Sequence, residues 1–170
     1  MAATSHGGGP PEGERVRLRL IDSQLAATMI AGSAGPDLPW ERGFPMAPVL
    51  GLARIVVAAS EPPGPFFAYV IVRRADGLAI GDAGFHGPPT ESGEVEIGYA
   101  LVPAARGAGY AQEAVALLIA WAWRQPGVRL ITARVEPDNA ASKRVLQRLG
   151  FEWGGDRDGM ERFVLEPIPR

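Results

Sequence analysis

The sequence predicts an α+β fold: a central mixed, mostly antiparallel sheet of six to seven strands, with helices on both faces. Three observations predict it. Between Phe66 and Leu101 three strand-like runs follow one another across short turns, which makes an antiparallel meander. From Glu94 to Phe151 a strand, a glycine-rich turn, a helix, a second strand and a second helix follow in fewer than sixty residues, an order that needs a right-handed crossover between parallel strands. With 170 residues, 46% of them hydrophobic, the chain is long enough to bury one real core.

Taken in order, residues 1–13 are small, polar and rich in Gly and Pro and read as a flexible tail, with His6 inside it. Residues 14–170 read as a single domain. Arg15 to Leu20 alternates polar with apolar as a half-buried strand does, and Asp22 then caps a short helix through Ile30. Gly32 to Pro48 has no period but carries Trp40, Phe44 and Met46, so it either packs over a groove or offers a partner surface, which leaves room for a homodimer. A helical apolar run covers Val49 to Ala59 and stops at a proline cluster. The meander strands are Phe66–Val72, Leu78–Phe85 and Glu94–Leu101, with Gly77 supplying a positive φ in the first turn. A helix from about Gly109 to Trp123 leads to a strand at Leu130–Val135, and Asn139 caps a helix over Ala140–Leu149 that Gly150 ends. Phe151–Trp153 and Arg162–Leu165 close the sheet as a hairpin across a loop at 154–159.

Composition excludes several function classes. A net charge of -2 argues against a general nucleic-acid binder, which needs a basic surface to neutralise phosphates. The absence of cysteine removes disulfide scaffolds, thiolate zinc sites and a cysteine nucleophile, and no metal is expected. No signal pattern opens the chain and no apolar run reaches the roughly 18 residues of a membrane span, so a cytoplasmic protein without membrane contact is expected.

The chemistry centres on Arg106-Gly107-Ala108-Gly109-Tyr110-Ala111. Two glycines allow unusual backbone conformations directly before a helix whose first amides have no partner within it. With an arginine beside them, those amides and the helix dipole suit a phosphate or pyrophosphate. A dinucleotide-binding turn fails on detail: Gln112 stands at the third glycine position, and Arg134 and Val135 end the next strand where an acid is required. A glycine turn without any ligand is the plain alternative.

These residues resemble the GNAT superfamily of acyl-CoA-dependent N-acetyltransferases. Arg106, Gly109 and Ala111 match its acceptor-loop pattern, and Asn139 with Ser142, Leu146, Gly150 and Phe151 matches its second signature. The wording Gly98-Tyr99, Arg106-Gly107, Glu113-Ala114 and Asn139-Ala140-Ala141-Ser142 is most similar to the branch of Rim-type ribosomal-protein N-terminal acetyltransferases. The resemblance implies an acyl-CoA N-acyltransferase fold with the strands at 94–101 and 130–135 splayed apart. It implies acetyl-CoA as cosubstrate, its pyrophosphate on the amides of Gly107 to Ala111 with Arg106 adding charge. The pantetheine arm would pair near Leu101 and Val102, with Asn139 and Ser142 also at the coenzyme.

An amine acceptor arrives as an ammonium ion and needs a base. Glu94 and Glu96 share one strand face, which makes Glu96 the first candidate and Glu94 the second, with a solvated polar face as the plain reading. His86 is the third, since its ordinary pKa lies near working pH. Many GNAT enzymes carry a tyrosine acid seven residues after the motif asparagine, where this chain has Leu146; Ser142 is what the resemblance offers instead. The expected activity is acetyl transfer to a primary amine, on a peptide N-terminus or a small molecule, by direct attack in a ternary complex. The alternative is a non-catalytic acyl-CoA-binding module.

Overall fold

The computed structural model describes residues 10 and 12–168, so most of the expected tail, including His6, lies outside the described residues. Its last part is held: the Gly13 amide donates to Val16 O at 2.9 Å, and its carbonyl accepts from Arg74 Nη1 at 2.6 Å.

Seven strands form one sheet: β1 (Val16–Leu20), β2 (Ala68–Arg73), β3 (Ala79–Phe85), β4 (Glu94–Leu101), β5 (Leu130–Val135), β6 (Glu152–Arg157) and β7 (Met160–Leu165). Their order is β1-β2-β3-β4-β5-β7-β6. Among the paired strands of the described residues only β4 and β5 run parallel, joined by the helix α3 (Tyr110–Ala122). The other helices are α1 (Ser23–Ala31), α2 (Ala47–Ala58) and α4 (Ala140–Arg148).

Burial explains the layering. β2 and most of β3 are buried at successive positions, so both faces of the sheet are covered at its centre. One covering layer is α3, whose Trp121 ring meets Phe66 at 4.9 Å and Phe85 at 5.5 Å in an aromatic cluster. α1 and α2 pack on each other and bury Leu25, Ala26, Met29, Val49, Ala53 and Val56, residues at helical spacing. Asp22 caps α1 by accepting from the Leu25 amide at 2.8 Å.

The aperiodic segment at 32–48 resolves toward packing. Leu38 and Phe44 are buried, Trp40 and Met46 lie against the core, and Trp40 meets Phe44 edge-on at 5.9 Å. Of the three residues that left room for a homodimer surface, Phe44 is buried within the chain, and Trp40 and Met46 are partly buried against the core. The final hairpin also departs from expectation. The segment at 154–159 is not a loop, because β6 runs on to Arg157, with a register shift between Trp153 and Asp156. The chain reverses at Asp158 and Gly159, both at positive φ (53° and 76°), and Asp-Gly is a strong signal for such a tight turn.

Candidate active site

The site arises where β4 and β5 stop pairing. Their register runs from Glu94↔Leu130 to Ile97↔Ala133, yet β4 continues to Leu101 and β5 to Val135. In β4 the Glu96 carbonyl accepts from His86 N, and just past its end the Val102 amide donates to Ile80 O, both at 2.9 Å. Even-numbered positions therefore turn their backbone toward β3, and Tyr99 and Leu101 turn theirs to the opened side. Leu101 O accepts from Arg106 Nε at 3.1 Å.

This alternation corrects one expectation. Val102 is fully buried, its amide is used by Ile80 and its carbonyl by Ala105, so it has no backbone group to offer a ligand. The backbone of Tyr99, beside that of Leu101, lies on the opened side instead. Strand parity held the signal, but it was unreadable without knowing which neighbour each edge faces.

The opening leads into a cleft of about 500 Å³, lined among others by Tyr99, Leu101, Arg106, Gly107, Asn139 and Ser142. Gly107 and Gly109 adopt φ of +81° and +83°, and the first helical bond of α3 runs from the Glu113 amide to Gly109 O. The amides of Tyr110, Ala111 and Gln112 thus have no acceptor earlier in the helix. Gly107 and Ala111 line the cleft, whereas Tyr110 packs partly buried against the core beside Arg15, whose guanidinium sits 5.0 Å from its ring centre.

Across the cleft, Asn139 Oδ1 accepts from the Ser142 amide at 3.1 Å and so caps α4. Tyr99 Oη donates to the Ser142 carbonyl at 3.2 Å, and burial pushes the Tyr99 phenol up, so it stays protonated. The Ser142 hydroxyl bonds no described residue. Leu146 is fully buried. Glu136 and Asp138 also line the cleft, and nothing in the motif pattern pointed to them.

A smaller depression of about 180 Å³ adjoins the cleft and shares Tyr99, Glu136, Asn139 and Ser142 with it. Gly98 and Arg134 line it too. The sequence candidates for a base lie beside it rather than in its wall. Glu94 is bound to Arg162 Nη2 at 3.0 Å and accepts from Thr132 Oγ1 at 3.0 Å. Glu96 is bound to Arg134 Nε at 2.8 Å, and its Oε1 lies 3.0 Å from His86 Nδ1. The other imidazole nitrogen reaches over Gly98, where a Cβ would stand 2.9 Å from Nε2. Among the described residues no group of three or more His, Asp or Glu is placed to hold a metal ion, and no helix is long and apolar enough to cross a membrane.

A seven-stranded sheet opened beside a glycine turn, at the start of its crossover helix, is the arrangement that the resemblance to acyl-CoA-dependent acetyltransferases implies. Family comparison gives the same class. Residues 15–152 match the family described as "Acetyltransferase (GNAT) domain", and the chain belongs to that family of acetyltransferases. It is 34% identical over 150 residues to "Uncharacterized N-acetyltransferase YjdG" of Bacillus subtilis (strain 168), covering 82% of this chain and 88% of that one. It is 38% identical over 86 residues to "Uncharacterized N-acetyltransferase p20" of Bacillus licheniformis, about half of each chain (51% and 48%). The fold matches an acetyltransferase from Agrobacterium tumefaciens str. C58 with a TM-score of 0.66 at 21% identity, over 98% of this chain and 99% of that one. It also matches a ribosomal-protein-S5-alanine acetyltransferase from Vibrio fischeri with a TM-score of 0.61 at 22% identity, over 93% and 95%.

Proposed function

We propose that the protein transfers the acetyl group of acetyl-CoA to a primary amine, on a peptide N-terminus or a small molecule, by direct attack within a ternary complex. The observation that carries this reading is the end of β4–β5 pairing at Ile97 and Ala133, which exposes backbone of Tyr99 and Leu101 to a cleft ending at Arg106 and Gly107. A pantetheine arm needs such an unpaired strand edge, and a pyrophosphate needs the bare amides and charge at the turn.

The coenzyme then occupies the larger cleft and the amine enters the smaller depression, the two meeting at Tyr99, Asn139 and Ser142. Glu94 is paired with Arg162 and Glu96 with Arg134, so the carboxylate oxygens of both are already engaged. The base in this reading is His86 Nε2 over Gly98, with Glu96 orienting the ring through Nδ1. The ammonium gives its proton to His86, the free amine attacks the thioester carbon, and the tetrahedral oxyanion collapses as the C–S bond breaks. The second proton lost by the attacking nitrogen ends on the departing thiolate, to give the amide and free thiol. A thiol has a pKa near 8.5, so that thiolate leaves readily, and the Ser142 hydroxyl is the donor it meets.

The test is release of free thiol from acetyl-CoA across a panel of amines, beside thermal melting with CoA. Binding should stabilise the protein by roughly 2.7 kcal/mol at a hundred times the dissociation constant. Stabilisation without turnover on any amine would support a non-catalytic acyl-CoA-binding module, and absence of stabilisation would overturn the coenzyme reading itself.

A further inference from the structure

We propose that Arg15, at the entry to β1, is a positioning residue of the coenzyme site, holding the glycine turn so that its amides face the pyrophosphate. This rests on the coenzyme reading above. Arg15 lies 93 positions from the turn and belongs to no motif. Its Nη1 nevertheless donates to the Ala108 carbonyl at 2.7 Å, and a Cβ built on Gly109 would meet its Nη2 at 3.0 Å.

The peptide unit between Ala108 and Gly109 explains the consequence. In a trans peptide the carbonyl and the following amide point in opposite directions. Fastening the Ala108 carbonyl to Arg15 therefore directs the Gly109 amide the other way. Gly109, at positive φ, is one of the two hinges of this peptide, and Gly107, also at positive φ, lies one residue before the other, so an external fastening has something to decide.

A carboxylate completes the arrangement. Glu113, in the first turn of α3, accepts from the Arg15 amide at 2.7 Å, the Val16 amide at 3.1 Å and Arg15 Nε at 3.1 Å. An acid at that position would repel a bound pyrophosphate if left bare. Arg15 covers it and holds the turn with the same planar fork, a double task that the point charge of a lysine does not match.

The experiment is calorimetric titration of CoA into the full chain and into Arg15→Ala, Arg15→Lys and Glu113→Gln, with melting of each unliganded protein. Arg15→Ala should weaken CoA binding about ten-fold, a loss the size of one charge-assisted hydrogen bond. Arg15→Lys should recover little of it. Glu113→Gln loosens the same β1–α3 tether but keeps the bond to Ala108, so it should lower the melting temperature while changing CoA affinity less than three-fold. Arg15→Ala binding CoA as tightly as the parent, or Glu113→Gln losing as much affinity as Arg15→Ala, would overturn the proposal and leave the coenzyme reading intact. A parent protein that does not bind CoA would overturn both.

Discussion

His86 Nδ1 lies 3.0 Å from Glu96 Oε1, while the opposite ring nitrogen hangs over Gly98 at the edge of the opened sheet. Arg134 holds the same carboxylate oxygen at 2.8 Å, so Glu96 is fixed from two sides and the imidazole follows its placement. His86 leads out of β3 and Glu96 sits in β4, and in the proposed reaction the pair serves as base and orienting group.

His86→Gln should lower kcat for the best amine by at least a hundred-fold, the usual worth of a positioned base. Glu96→Gln should cost less, about ten-fold, because the ring remains present but loses its charged orienting partner. The comparison is made at saturating amine and acetyl-CoA. Full turnover in Glu96→Gln with His86 intact would remove the orienting role, and a larger loss there than in His86→Gln would return the base to the carboxylate.

Gly98→Ala tests the same geometry from below. A methyl group at this position would stand 2.9 Å from Nε2, and the imidazole, 55% exposed at its side chain, has room to swing away. We expect kcat to fall roughly as in His86→Gln while thermal stability changes by less than about 1 kcal/mol. An unchanged kcat would show that the ring's place over Gly98 is immaterial to the reaction.

Asp82 gives a pH-dependent stability. It lies in β3 opposite Ala100, one of its oxygens is sealed from solvent without a hydrogen-bond partner, and burial pushes its carboxyl up to about 6. The native chain therefore keeps this proton at pH values where the unfolded chain, near 3.8, has released it. Stability from this group is complete below about pH 4 and is lost as pH rises through about 6, by roughly 3 kcal/mol at most. Asp82→Asn should accordingly raise the melting temperature at pH 7.5 and match the parent near pH 4. A variant less stable than the parent at pH 7.5 would mean that the ionised carboxylate has a partner in solution.

Much of the fold was legible because its signals are local. Asp22 and Asn139 stand where helices need caps, the strands of the meander alternate or run apolar, and Arg106 to Ala111 joins a strand to an apolar-periodic helix. Gly154 and Gly155 look like loop residues and make the last hairpin seem shorter than it is, although Asp158-Gly159 holds the true reversal. Trp40, Phe44 and Met46 fit either a buried loop or a partner surface from sequence, since burial is a property of what arrives from elsewhere in the chain.

The sequence by itself determined the elements, their order and the glycine turn, all of which follow from the conformational preferences of neighbouring residues. Tertiary structure alone decided which groups meet. It used the backbone of Val102 and left that of Tyr99 and Leu101 facing the cleft, because a strand's free edge is defined by its neighbours. It neutralised Glu94 with Arg162 and Glu96 with Arg134, partners 68 and 38 positions away. It also brought Arg15 to Ala108 across 93 positions. Charge pairing and hydrogen bonding act over a few ångströms of space whatever the distance along the chain, so no local pattern could carry them.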